Sequence, residues 1–225
     1  MSSTWASEAL AVFAKDWRCE LRTRHAVATL ALFALTTLIV SSLVLGPIGN
    51  DRSQAARFVP VLVWLILLFA TSAGLPRVFV HEEESRTAIA LRLAARPSAV
   101  FAGKLAHTLT LVVALELLVA PLAVVLFDLD VTRPAMLVES LAAGGVAIAA
   151  ATTLLAAIVA QGRGASTLFA VLALPVLLPA LALAVSASRS AFGPLEAAGL
   201  LRMLVLYDGT IIVAGFLLFP AIWNP

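Results

Sequence analysis

Three groups of residues in this 225-residue chain could do chemistry, and each stands out against a greasy background. The stretch HEEESRTAIALRLAARP, His81 to Pro97, sets Glu82, Glu83 and Glu84 in a row and follows them with Arg86, Arg92 and Arg96. Charge runs of this kind are usually solvated faces; a functional surface is the alternative. Glu116, in LVVALELLVAP, and Asp208, in LYDGT, are lone acids within apolar runs. An acid inside a membrane is rare and generally faces a bundle interior or water, which makes Glu116 a functional candidate. A structural hydrogen bond to a neighbouring helix is an equal reading for Glu116, and an interfacial place near the outer end of the last span is an alternative for Asp208. His25, His81 and His107 are far apart, so a haem or metal site from them is a weak alternative, and a histidine beside a lysine, as in KLAH, is more often a surface or capping group.

Several chemistries are excluded. The chain has no GxxxxGK[ST] phosphate loop, no HExxH and no GxSxG, and no catalytic residue is assigned. Cys19 is the single cysteine, so neither an internal disulfide nor a cysteine metal cluster can form, and no metal site is expected. A net charge of +2, with basic residues scattered, offers no field for nucleic acid.

The elements that must position these residues are membrane spans. The composition is 62% hydrophobic and 12% charged, with a mean hydropathy of +1.05. Apolar runs near the ~20 residues needed to cross hydrocarbon recur along the chain. They predict spans at about 26–46, 58–76, 99–127, 135–160, 165–187 and 203–223 within one membrane domain covering 1–225. The leading 25 residues are too polar for a cleaved signal and read as retained. Ala6, Leu10, Phe13, Trp17 and Leu21 recur at helical spacing while Lys15, Arg18 and Arg22 take another face. The expectation over 1–25 is an amphipathic helix in the headgroup region, or packed on the protein's own cytoplasmic ends, or both.

With the N-terminus in the cytoplasm, ten basic residues lie inside (Lys15, Arg18, Arg22, Arg24, Arg77, Arg86, Arg92, Arg96, Lys104, Arg163) and five outside. Six spans return the C-terminus to the cytoplasm, and residues 77–97 become the largest cytoplasmic loop. Glu82 and Arg86 are spaced as a helical acid–base pair, so a short surface helix stopped by Pro97 is predicted there. Pro175 and Pro179, four apart in ALPVLLPAL, are expected to kink the fifth span, for a cavity, a gate or packing. The small-residue run AAGGVAIAAATT predicts a close helix-to-helix face.

Taken in order, FVPVLVWLILLFATSAGLPRVF, HEEESRTAIALRLAARPSAVFAGKLAHTL and QGRGASTLFAVLALPVLLPALALA resemble the CcmB family, heme exporter protein B of cytochrome c maturation. The residues that carry the resemblance are Trp64, Arg77, Phe79, Glu82, Pro97, Lys104, His107, Pro175 and Pro179. Three departures are Arg86, where the family usually has glycine, Ala88, near which it has leucine, and the ending FPAIWNP, which lacks basic residues. The resemblance implies an all-α, six-helix, ABC-2-like permease with an N-terminal elbow helix, in the bacterial inner membrane. It implies that residues 77–97 form a coupling helix, with Arg77, Phe79, Glu82, Glu83, Glu84 and Arg86 docking on a separate CcmA-like ATPase that binds the ATP. A CcmC-like haem-handling membrane protein is the further implied partner, besides membrane lipid. Haem is a cargo of the complex, and no haem ligand falls on this chain, whose tryptophans are scattered. The alternatives are an ABC-2 type permease for a lipid, drug or glycan, and a membrane scaffold that uses no nucleotide.

Overall fold

The computed structural model describes residues 4–23, 25–45, 52–74, 88–160, 165–193 and 198–223. All regular structure among the described residues is helical: α1 (Trp5–Thr23), α2 (His25–Leu45), α3 (Arg52–Gly74), α4 (Ala88–Ala94), α5 (Pro97–Leu126), α6 (Pro134–Ala160), α7 (Ala165–Arg189), a 3-10 turn (Ser190–Phe192) and α8 (Ala198–Trp223). Among the described residues six stretches are long and apolar enough to cross a membrane: Val27–Leu45, Gln54–Ser72, Pro97–Leu126, Pro134–Ala160, Leu172–Phe192 and Ala198–Trp223. The molecule is a polytopic helical membrane protein.

Helices in lipid gain nothing from hiding apolar surface against one another, so close packing and interhelical hydrogen bonds must hold the bundle. Central α6 packs against α3, α5, α7 and α8. Its small-residue run forms the predicted close face, for Ala147 through Ala157 are buried without a break. At Gly144 a Cβ would collide with the Trp64 indole, so only glycine admits that ring. The same indole donates from Nε1 to Ser188 Oγ at 2.9 Å, and Ser188 Oγ lies 3.0 Å from Ser140 Oγ. One buried polar chain thereby joins α3, α7 and α6. A cavity of about 20 Å³ beside it, lined by Val59, Val63, Trp64, Ala120, Leu141 and Ser188 among others, has room for about one water.

Prolines punctuate the bundle where their missing N–H is tolerated. Pro97 and Pro134 open α5 and α6, positions whose N–H has no helical partner in any case. α5 ends at Leu126, and two residues on Asp128 has a left-handed φ of 46°, a conformation aspartate tolerates better than most residues. Pro175 and Pro179 lie inside α7, which continues through both, and both side chains face outward. Between them the Tyr207 hydroxyl donates to the Val176 carbonyl, tying α8 to α7 in the stretch where Pro179 leaves the helix one hydrogen bond short.

The connections give the bundle two distinct ends. At the far end Arg189 Nε donates to Arg57 O at 3.0 Å, and the N–H groups of Thr132 and Arg133 each donate to Ala191 O at 3.0 Å. At the near end sit α1, α4, the start of α5 and the end of α8.

Candidate functional site

The near end is built from residues far apart in sequence. α1 docks on α5 with its acidic face inward, and its contacts keep a fixed register. The Arg96 backbone N–H donates to Glu8 Oε2 at 2.9 Å, and Lys104 Nζ donates to Asp16 Oδ2 at 3.2 Å, both pairs being 88 residues apart. A constant offset means that α1 runs beside α5 in the same direction, while Ser42 of α2, 3.5 Å from Leu126 O, marks α2 beside the second half. The amphipathic helix is thus packed lengthwise on the protein's own α5.

Each inward acid on α1 has a task. Glu8 takes a backbone N–H at the start of α5, where helical N–H groups lack partners and the helix dipole favours negative charge. Glu20 does the same for α2, accepting from Val27 N at 3.0 Å. Asp16 faces Lys104, whose side chain is fully buried. Trp5 Nε1 donates to Ser98 Oγ at 3.0 Å, and the Trp17 ring meets His107 edge-on, with centroids 6.2 Å apart. With the acids turned inward, Leu10, Leu21, Arg18 and Arg22 point outward.

His107 therefore differs from its reading as a surface or capping group: it and Lys104 are both buried, because α1 covers them. Gly103 makes this possible, since a Cβ there would lie 2.7 Å from Ala9 O and 2.7 Å from Val12 Cβ. Gly103→Leu is expected to lift α1 from α5, at a cost of about 1–3 kcal/mol. Faster hydrogen exchange across α1 than across α6, relative to the unsubstituted protein, is the measurement that checks it.

α4 occupies the C-terminal part of the charged 77–97 segment, and Pro97 begins the next helix one turn later. Arg92 of α4 sits over the Trp223 ring, 5.1 Å from its centroid. From there an aromatic ladder climbs into the bundle. Trp223 stacks on Phe219 at 5.3 Å, Phe219 meets Phe101 at 5.4 Å, and Phe101 meets Phe216 edge-on at 5.1 Å. A Cβ on Gly215 would collide with the Phe101 ring, so α8 approaches α5 closely here. The ladder is a packed path from α4 to the last turns of α8 and the first turns of α5, and a shift of α4 would press on it directly.

Arg77, Phe79, Glu82, Glu83, Glu84 and Arg86 lie outside the described residues, as does His81. Glu116 and Asp208 are buried, at 5% and 6% exposure, and the Glu116 carboxyl rests against Gly145 of α6. Asp208 sits ten residues into α8 rather than at its rim. Pro175 and Pro179 face away from the bundle interior. Among the described residues no group of three or more histidine, cysteine or acidic side chains could hold a metal ion.

Sequence reasoning missed Glu8, Asp16, Gly103 and the Arg92–Trp223 pair. The available signal was the GK pair of FAGKLAH: a glycine followed by a lysine inside an apolar helix asks for a close neighbour carrying an acid. The family model described as "CcmB protein" matches residues 7–223. "Heme exporter protein B" of Bradyrhizobium diazoefficiens is 30% identical over 190 residues, covering 83% of each chain.

Proposed function

The chain belongs to the CcmB family, and from that premise we propose that it is the permease subunit of an ABC transporter complex for haem export in cytochrome c maturation. A separate CcmA-like ATPase hydrolyses the ATP, and a CcmC-like membrane protein handles the haem. This chain is no enzyme itself. It sits in the inner membrane with both termini in the cytoplasm, so that the near end faces the ATPase.

The observation that carries this reading is the continuity from Arg92 through Trp223 and Phe219 to Phe101. Residues 77–97 form the coupling segment, and Arg77, Phe79, Glu82, Glu83, Glu84 and Arg86 meet the ATPase. Closure of the ATPase moves the segment, α4 bears on the end of α8, and the ladder carries the displacement into α5. The inward lock of α1 on α5 makes α1 move with α5 as one body, while its outward Leu10, Leu21, Arg18 and Arg22 rest at the inner headgroups.

Mild-detergent purification of the tagged full-length chain is expected to bring down an ATPase subunit in stable ratio. A purified chain without any ATPase contradicts the reading and favours a scaffold. An ATPase whose gene lies apart from cytochrome c maturation genes favours export of a lipid, drug or glycan.

A further inference from the structure

We propose that Glu116 is a proton-binding site of the membrane interior: its carboxyl is a neutral acid while α5 and α6 are packed at Gly145, and it yields its proton to water when that seam opens.

The placement leaves the carboxyl little choice. Glu116 is ten residues from the far end of α5, about 15 Å at 1.5 Å per residue, near the middle of a hydrocarbon core of ~30 Å. Its side chain is nineteen-twentieths buried, and Oε1 has no hydrogen-bond partner among the described residues. Against it lies Gly145, where a Cβ would stand 2.6 Å from Oε1 and 3.0 Å from Oε2. A carboxylate in such surroundings would be an unpaired charge in a low-dielectric medium, which proteins avoid by neutralising the group.

Charges on the helices packed against α5 lie elsewhere. Lys15, Asp16 and Glu20 of α1 are at the near end around Lys104 and His107. Arg57 of α3, Glu139 of α6 and Arg202 of α8 fall within about five residues of the far end of their helices. Asp208 alone shares the depth of Glu116, being ten residues from the far end of α8, and it too is buried with Oδ1 lacking a partner among the described residues. The antiparallel course of α5 and α8 therefore puts two acids in one layer, and among the described residues neither has a cation there to balance it.

Gly145 supplies the link to motion. α6 offers no side chain at the carboxyl, so the closed seam gives Glu116 a buried berth without a partner for Oε1, in which the neutral acid is the form that fits. Separation of α5 from α6 admits water, hydrates the carboxyl and lets the proton leave; closing the seam takes a proton back.

Infrared spectroscopy of the full chain in lipid vesicles tests this without nucleotide or cargo, so its outcome is separate from that of the transport reading. The wild-type spectrum minus that of Glu116→Gln at neutral pH is expected to contain the C=O stretch of a protonated carboxylic acid. A pair of carboxylate bands in its place would overturn the proposal. Gly145→Ala, which crowds Oε1 and turns the end of the Glu116 side chain aside, is expected to shift the acid band, and an unchanged acid band would overturn the link to the seam. Glu116→Asp, which keeps the acid, is expected to retain the acid band; a carboxylate in that variant counts against the site.

Discussion

Asp16→Ala is expected to destabilise the protein by about 3–5 kcal/mol, the cost of breaking a buried ion pair by removing one partner. Asp16 holds two lysines at 3.2 Å, but they are not equivalent: the Lys15 side chain is 47% exposed and that of Lys104 is 0%. Water can replace the carboxylate at Lys15, so Lys15→Ala should cost about 0–1 kcal/mol. At Lys104 it cannot, because α1 covers the ammonium. The double variant Asp16→Ala with Lys104→Met removes both charges and should return most of the lost stability, since apolar replacements of buried pairs are often neutral. Unfolding in mixed micelles measures all four proteins. An Asp16→Ala variant as stable as the unsubstituted chain would mean that α1 is not locked to α5 through this pair.

Charge reversal of the acid row, Glu82→Lys with Glu83→Lys and Glu84→Lys, is expected to weaken ATPase capture about a hundredfold. Like charges brought together at an interface cost several kcal/mol, and each 1.4 kcal/mol is tenfold in affinity. Membrane insertion should survive, because none of the six apolar stretches among the described residues includes these positions. Quantitative co-purification, with ATP hydrolysis by the recovered complex, reads the effect. Full capture and full turnover would remove the coupling role from this segment.

The spans were legible because a helix that crosses lipid must be apolar for its whole length, a constraint local enough to read from one sequence. The close face of α6 was legible for a similar reason, since its glycines and alanines are adjacent in the chain. The near end was not. Reading the amphipathic helix by its apolar stripe pointed attention to Leu10 and Leu21, which face outward, whereas the docking face is spelled by Glu8, Asp16 and Glu20. Their partners are mostly remote, and a local pattern carries no information about a contact 88 residues away. KLAH looked like a surface motif for the same reason, because nothing local announces that another helix will cover it. Arg92 and Trp223, 131 residues apart as counted from their numbers, meet only because six crossings bring the last helix back to the end where the charged loop lies.

The most direct test of the account is covalent haem in c-type cytochromes after deletion of the gene, read by haem staining of membrane fractions. The account predicts that the haem bands disappear, that the intact chain restores them, and that the chain with Glu82, Glu83 and Glu84 reversed does not. Normal haem bands in the deletion strain would contradict it.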